Sequence, residues 1–154
     1  MPRVSRRRTI AASPAEVWEL ISDPYSLPRW WPRTSRVEAV DRKSSGRRSH
    51  WTKVLQTAEG RGVRADYRCV SSAEGERYVW EQELEGSPFA RHLRSSTVEI
   101  ALRPEGEGTA VTITSSQRLR GMSRLGSPMM RGGQGRIIDE ALEGIERALS
   151  GNGA

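Results

Sequence analysis

The period of the hydrophobic pattern changes twice along this chain. Apolar residues between Val17 and Ile21 recur at helical spacing, and helical spacing returns between Ile138 and Leu149. Between these two regions, from residue 36 to residue 119, apolar and polar side chains alternate as they do in half-buried antiparallel strands. The pattern therefore predicts a short helix, a run of strands and a final helix.

The N-terminal region contains the clearest helix signal. Ser13-Pro14-Ala15-Glu16 supplies a serine N-cap, proline at the first helical position and glutamate at the third. Asp23-Pro24 ends this helix, because a residue before proline disfavours the α conformation. A weakly alternating strand from Val4 to Ile10 is expected before the helix, and a second short helix or turn from Tyr25 to Trp31 after it.

Six further strands are predicted, and the turns between them are short. They lie at Arg36–Asp41, Arg48–Gln56, Val63–Cys69, Tyr78–Leu84, Arg91–Leu102 and Ala110–Leu119. Parallel neighbours need long crossover connections, so these strands should form an antiparallel meander.

The final helix should cover the apolar face of that sheet. Its apolar stripe consists of Ile138, Leu142, Ile145 and Leu149. The final helix has two possible starts, one at Ser127 and one after Gly135, because glycine disfavours a helix interior and glycines stand at positions 132, 133 and 135. A start at Ser127 would place a loosened helical segment over the mouth of a cavity.

Length and composition are consistent with a single domain covering residues 1–154. Only 35% of the residues are hydrophobic, while the chain contains five Trp. The core should therefore be small or partly hollow, with large aromatic rings supplying much of its area. No apolar segment approaches the roughly 20 residues of a membrane span, and no secretory signal is seen, which favours a cytoplasmic protein.

The chain offers little for metal or cofactor binding. Cys69 is the single cysteine, and His50 and His92 are the two histidines, so no metal site is predicted. The glycines at 132–135 lack the preceding strand and the lysine of a phosphate-binding loop, and no cofactor is expected. The net charge of +6 is scattered and matched by nearby acidic residues, which favours a solvated surface over nucleic-acid binding. Lys43 and Lys53 are the only lysines.

The opening of the chain resembles that of a known superfamily. Ile10 to Trp18, then Asp23-Pro24 and Trp30-Trp31-Pro32, are similar to the start of SRPBCC (START-like) proteins. More narrowly, they look like the bacterial polyketide cyclase/dehydrase and lipid-transport group, as do Gly108 to Thr112 and the final amphipathic helix. The resemblance implies a helix-grip α+β fold, in which a curved antiparallel sheet of six to seven strands surrounds a long C-terminal helix. It also implies a cavity between them, but no transferable catalytic motif.

Several side chains are candidates for lining that cavity. Strand alternation predicts that aromatic and amide side chains face inward, although they could equally be ordinary core. The predicted ligand-binding residues are Tyr67, Trp80, Gln82, Arg94, Gln117, Met129 and Met130. Met129 and Met130 suit a pliable wall, whereas Arg94 and Gln117 would form the polar end.

The pattern allows two orientations for the side chain of Arg94. Strict alternation from Val98 through Ser96 turns Arg94 inward, where a buried charge needs a partner such as a ligand carboxylate, enolate or phosphate. A β-bulge would instead turn Arg94 to solvent. The same uncertainty applies to His92.

The leading hypothesis is a protein that binds an apolar or aromatic small molecule, lipid or polyketide-like, in the internal cavity. An enzyme of the cyclase/dehydrase type is the main alternative, with His92, Tyr67 and Arg94 as candidates for proton transfer. A protein-interaction module using an arginine-rich rim is the third. The sequence leaves open whether any reaction is catalysed, which ligand is bound and what the oligomeric state is.

Overall fold

Seven strands form one antiparallel sheet in the computed structural model, whose described residues are 3–41, 50–56, 62–91, 93–119 and 127–150. The side chains at 39, 41, 56, 88, 91 and 127–131 are not among those described. The strands are β1 (Arg3–Ile10), β2 (Thr34–Asp41), β3 (His50–Gln56), β4 (Gly62–Ala73), β5 (Arg77–Glu83), β6 (Leu93–Glu105) and β7 (Gly108–Leu119). Their order across the sheet is β1-β7-β6-β5-β4-β3-β2.

Within the described ranges, three α-helices accompany the sheet. They are α1 (Pro14–Ile21), α2 (Leu27–Trp30) and α3 (Ser127–Ser150), with 3₁₀ turns at Pro24–Ser26 and Pro88–Arg91. The predicted α+β helix-grip architecture is confirmed: two short helices follow the first strand, and the curved sheet encloses the long last helix. Because α3 is helical from Ser127 onward, the alternative start after Gly135 is wrong. None of the described helices is long and apolar enough to cross a bilayer.

The predicted start of α1 is present in full. The Glu16 backbone N–H donates to Ser13 Oγ at 3.2 Å, and the Ser13 backbone N–H donates to Glu16 Oε1 at 3.3 Å. These reciprocal bonds satisfy backbone donors that the first turn of a helix leaves without partners. The helix then buries Val17, Leu20 and Ile21.

Ion pairs explain why β1 alternates poorly. Val4 and Ile10 are buried, but Arg6 and Arg8 reach α3, where they pair with Asp139 at 3.8 Å and Glu146 at 3.2 Å. These pairs are partly exposed, so each contributes little stability by itself. They allow a strand with three consecutive arginines, residues 6–8, to lie beside a helix.

The apolar stripe of α3 forms the centre of the core. Ile138, Ala141, Leu142 and Ile145 are buried, as the helical spacing predicts. Where α3 crosses α2, Gly144 permits a very close approach: a Cβ there would lie 2.2 Å from the Trp30 carbonyl oxygen. A side chain of any size would therefore force the two helices apart.

Alanine substitutions at two glycines of α3 should have opposite effects on stability. Gly144→Ala is expected to lower the free energy of unfolding by about 1–3 kcal/mol, because the obstructing atoms are backbone atoms of buried Trp30. Gly132→Ala should raise it by roughly 0.5–1 kcal/mol, since alanine favours helix and no atom lies within 4 Å of the added Cβ. Urea denaturation of both variants measures this, and a Gly144→Ala variant as stable as the parent would contradict the described crossing.

Candidate functional site

A cavity of about 810 Å³ lies between the inner face of the sheet and the first half of α3. This volume is within the range of roughly 300–1,000 Å³ found for small-molecule sites. Its apolar lining residues are Trp31, Pro32, Leu55, Val63, Tyr67, Trp80, Phe89, Val98 and Ile137. Its polar and charged lining residues are Arg33, Lys53, Gln82, Ser96, Ser115, Gln117 and Gln134.

Aromatic rings form one wall of the cavity. The ring centroids of Trp31 and Trp80 lie 5.3 Å apart in an edge-to-face arrangement, and Trp51 stacks behind Tyr67 at 6.1 Å. Trp51 and Trp80 are almost fully buried. Packed rings have few rotamers to lose, so this wall presents an apolar surface that is already ordered before a ligand arrives.

Amide and hydroxyl groups on β6, β7 and α3 form another part of the lining. The Gln117 side-chain amide donates to Ser96 Oγ at 3.2 Å, while its Oε1 atom is buried and has no hydrogen-bond partner among the described residues. Ser115 Oγ donates to Gln134 Oε1 at 2.6 Å, which ties β7 to α3. A buried acceptor without a partner is costly, so Gln117 Oε1 is suited to a donor group on a ligand.

Lys53 on β3 is the unexpected member of the lining. It is only 3% exposed, and its Nζ atom lies 4.9 Å from the centre of the Trp31 ring and 4.5 Å from that of Tyr67. No hydrogen bond or ion pair between described residues involves it, and no described lining residue is a carboxylate. Burial without a counter-ion lowers the pKa of Lys53 from its usual 10.5 to about 7.

The hydroxyl of Tyr67 behaves differently on titration. Burial raises the pKa of this phenol, because the charged phenolate would lose its hydration. Tyr67 therefore keeps its proton throughout the physiological range. It presents a ring to Lys53 and a neutral hydroxyl that can donate or accept a hydrogen bond.

Four of the seven predicted site residues border this cavity in the structure. Tyr67, Trp80 and Gln82 are buried on the inner faces of β4 and β5, and Gln117 lies on β7. The strand alternation that turned them inward is the observed one, with buried residues at every second position of β5. The side chains of Met129 and Met130 are outside the described residues.

Arg94 requires a correction, because the structure exposes it to solvent. The pairing of β6 with β7 shifts register between Leu93 and Ser95, which interrupts the alternation. Leu93 is buried in place of Arg94, and the inward face resumes at Ser96. The guanidinium is therefore away from the cavity, as the bulge alternative foresaw. His92 is outside the described residues.

Among the lining residues, sequence reasoning missed Lys53, Trp31 and Ser115. A lysine within a strand is normally assigned to the solvent face, yet Lys53 lies two residues from both Trp51 and Leu55 and so shares their face of the strand, which was the available signal. Trp31 belonged to a recognised motif but was not assigned to the site. In the part of the chain that the structure describes, no three or more His, Cys, Asp or Glu residues are grouped as metal ligands.

The chain is similar in sequence to one described family. A profile of the family "Polyketide cyclase / dehydrase and lipid transport" matches residues 1–150. The comparison with curated protein sequences gave no match.

Solved structures show the same fold at low sequence identity. A START superfamily protein from Mycobacterium smegmatis superposes with a TM-score of 0.80 at 16% identity, covering 97% of this chain and 98% of that one. A protein from Thermus thermophilus gives 0.79 at 21% identity, covering 99% and 100%. The di-domain ARO/CYC StfQ of the steffimycin biosynthetic pathway gives 0.79 at 12% identity; the match covers 99% of this chain and 52% of that longer one.

Proposed function

Because the chain belongs to the polyketide cyclase / dehydrase and lipid transport family, we propose that it binds an apolar or aromatic small molecule in the cavity between the sheet and α3. The observation that carries the proposal is the cavity itself. It combines about 810 Å³ of space with an ordered aromatic wall and a small number of polar atoms. That combination is the usual composition of a ligand site.

The cavity lining favours a flat, partly oxygenated ligand over a simple hydrocarbon. Trp31, Tyr67 and Trp80 offer ring faces and edges, on which an aromatic or polyketide-like ring can pack. Gln117 Oε1 offers an acceptor to a ligand hydroxyl. The similarity in fold to a di-domain ARO/CYC of a biosynthetic pathway is consistent with a polyketide-like ligand.

Binding is tested with a panel of fatty acids, aromatic alcohols and aromatic polyketides. A ligand at 100 times its Kd should stabilise the protein by about 2.7 kcal/mol and so raise its Tm. Tryptophan fluorescence should change in the same titration, because Trp31 and Trp80 line the cavity. Absence of a thermal shift and of a fluorescence change across the whole panel would contradict the proposal.

Gln117→Leu separates hydrogen bonding from apolar contact within the cavity. We expect this variant to bind 2-naphthol about 3- to 10-fold more weakly than the parent, the equivalent of one neutral hydrogen bond. Naphthalene has no hydroxyl that could form this hydrogen bond. Its Kd should therefore differ by less than about a factor of two between the two proteins. Calorimetric titration of the two ligands into both proteins measures the difference, and equal losses for both ligands would show that Gln117 only supports the cavity.

An enzyme of the cyclase/dehydrase type is the second candidate, and Lys53 is the observation that favours it. Cyclisation of a poly-β-ketone needs a base near an enolisable carbon, and Lys53 has a pKa of about 7 at the cavity wall. The test is incubation of the protein with a linear poly-β-ketone thioester, followed by mass spectrometry of the products. Ring closure with loss of water, absent from Lys53→Met, would establish this activity.

A further inference from the structure

We propose that Lys53 is a covalent ligand-binding residue, whose side-chain amine forms an imine with an aldehyde or ketone carbonyl of a molecule held in the cavity. This inference rests on the proposed function, because the carbonyl compound must first occupy the cavity. It adds a ligand class, carbonyl compounds, and a reactive atom, Nζ of Lys53. The resemblance to known proteins implied neither.

The position of Lys53 meets the geometric needs of such a site. The side chain is 3% exposed and borders the 810 Å³ cavity. The rings of Trp31 and Tyr67 lie within 5 Å of Nζ, at 4.9 and 4.5 Å, and restrict where the amine can be. A ligand in the cavity can therefore lie against the amine.

The amine must be neutral to attack a carbonyl, and its surroundings favour that form. Arg33 is the other charged side chain in the described lining, and it too is positive. No described carboxylate stabilises an ammonium ion there, and burial brings the pKa of Lys53 to about 7. A substantial fraction of the molecules therefore carries a neutral amine near pH 7, as a lysine in an apolar pocket does when it acts as a nucleophile.

The presence of lysine rather than arginine at position 53 also supports a basic group that can become neutral. Lys and Arg together number 25 in this chain, and Lys43 and Lys53 are the only lysines. An arginine remains protonated at any accessible pH, whereas a buried lysine releases its proton readily. In a chain that otherwise relies on arginine, the buried cavity position holds the basic residue that can become a nucleophile.

The reaction is a condensation with no oxidant or reductant. The nitrogen lone pair of Lys53 attacks the carbonyl carbon, a C–N bond forms, and a proton passes from nitrogen to oxygen to give a carbinolamine. Loss of water breaks the C–O bond and leaves a C=N double bond. An apolar cavity favours this product because the reverse reaction requires water at the imine carbon.

A carboxylate ligand is the competing interpretation of a buried lysine. Such a ligand would supply the missing counter-ion and hold Lys53 as an ammonium ion. The two interpretations differ in a measurable way: an imine can be reduced to a stable secondary amine, whereas an ion pair cannot. The carboxylate case is therefore an outcome of the same experiment.

The experiment uses the full chain with 2-naphthaldehyde and sodium cyanoborohydride at pH 7. Reduction of the imine adds the mass of the aldehyde less one oxygen atom, and peptide mapping locates the adduct. A lysine of ordinary pKa is neutral in only about one molecule in 2,500 at pH 7. We therefore expect Lys53 to be labelled at least about 100-fold faster than a lysine of ordinary pKa, with Nα-acetyl-lysine added to the same reaction as the reference amine.

Protection by 2-naphthalenemethanol provides the matched control, since this alcohol has the same rings but no carbonyl. In excess it should bind, raise the Tm and suppress labelling of Lys53 at least about 10-fold, while labelling of the N-terminal amine is unchanged. Lys53→Met should bind the alcohol but form no adduct at this position. The protection arm uses only the parent protein, so it decides the question even if the variant does not fold.

The remaining outcomes separate the two proposals. Binding of the alcohol with no preferential labelling of Lys53 overturns the imine site and leaves the ligand-binding function standing. If 2-naphthoate also binds more tightly than the alcohol, Lys53 is a counter-ion for carboxylates. Labelling of Lys53 that excess alcohol does not reduce places the reaction outside the cavity and also overturns the inference. If neither 2-naphthaldehyde nor 2-naphthalenemethanol shifts the Tm, and Lys53 is not labelled, the result counts against both proposals.

Discussion

Lys53→Met is expected to stabilise the folded protein at pH 7.5 by roughly 2–4 kcal/mol, an advantage that should largely disappear by pH 10. The pKa of Lys53 is about 7 in the folded protein, and about 10.4 for a lysine exposed by unfolding. Between these values the unfolded chain binds more protons, so the stability of the parent rises with pH. The destabilisation of the folded parent protein by buried Lys53 is complete below about pH 7 and is lost above about pH 10.4.

The measurement is urea denaturation of the parent and of Lys53→Met at half-unit steps from pH 7.5 to 9.5. The free energy of unfolding of the parent should rise by about 2–3 kcal/mol relative to the variant over this interval. Tyr67 and Cys69, whose pKa values burial raises, act in the opposite direction at alkaline pH. Both residues are present in both proteins, so their contribution largely cancels in the difference. Parallel pH profiles would show that Lys53 is solvated in solution.

Ile145→Ala is expected to lower the free energy of unfolding by about 2–5 kcal/mol. Ile145 is fully buried on the sheet-facing side of α3, so truncation removes apolar contacts and leaves a void. Glu143, two residues away, is exposed. Glu143→Ala should change stability by less than about 0.5 kcal/mol.

Denaturant unfolding of the two variants, at a pH where both remain monodisperse, tests how α3 faces the sheet. Both substitutions lie in α3 and both introduce alanine, so they form a matched pair. The change in helix propensity is therefore similar in the two variants. A Glu143→Ala variant less stable than Ile145→Ala would require α3 to be rotated about its axis. That rotation would also remove Gln134 and Ile137 from the cavity lining.

Periodicity predicted the architecture because burial and backbone geometry impose the same repeat. The stripe of Ile138, Leu142 and Ile145 on α3 and the alternation of Tyr78, Trp80 and Gln82 on β5 are both observed. The reciprocal cap at Ser13 and Glu16 is equally local, since four consecutive residues contain all its atoms. Features of this kind depend on near neighbours and can be predicted from one sequence.

Register and long-range charge pairing were not predictable in the same way. The shift between Leu93 and Ser95 depends on how β6 meets β7, and it decides that Arg94 faces solvent. Arg6 and Arg8 on β1 find their acidic partners on α3, more than 130 residues away. Neither result can be obtained from alternation within a single strand.

The candidate site could be predicted only in part, because strand alternation gives the face on which a side chain lies but not its neighbours from distant parts of the chain. Tyr67, Trp80, Gln82 and Gln117 followed from alternation, and all four line the cavity. Lys53 shares its face of β3 with Trp51 and Leu55, but a charged side chain is normally placed in solvent. Its burial becomes understandable only when the rings of Trp31 and Tyr67, from two other parts of the chain, are seen beside it.

A crystal structure of the protein with 2-naphthol bound tests the central claim, that this cavity holds an apolar or aromatic ligand, most directly. We expect one naphthol molecule against the rings of Trp31 and Trp80, with its hydroxyl about 3 Å from Gln117 Oε1. Soaking at a concentration well above the calorimetric Kd should give near-full occupancy. A cavity closed by its own side chains, or naphthol bound only on the outer surface, would contradict the account.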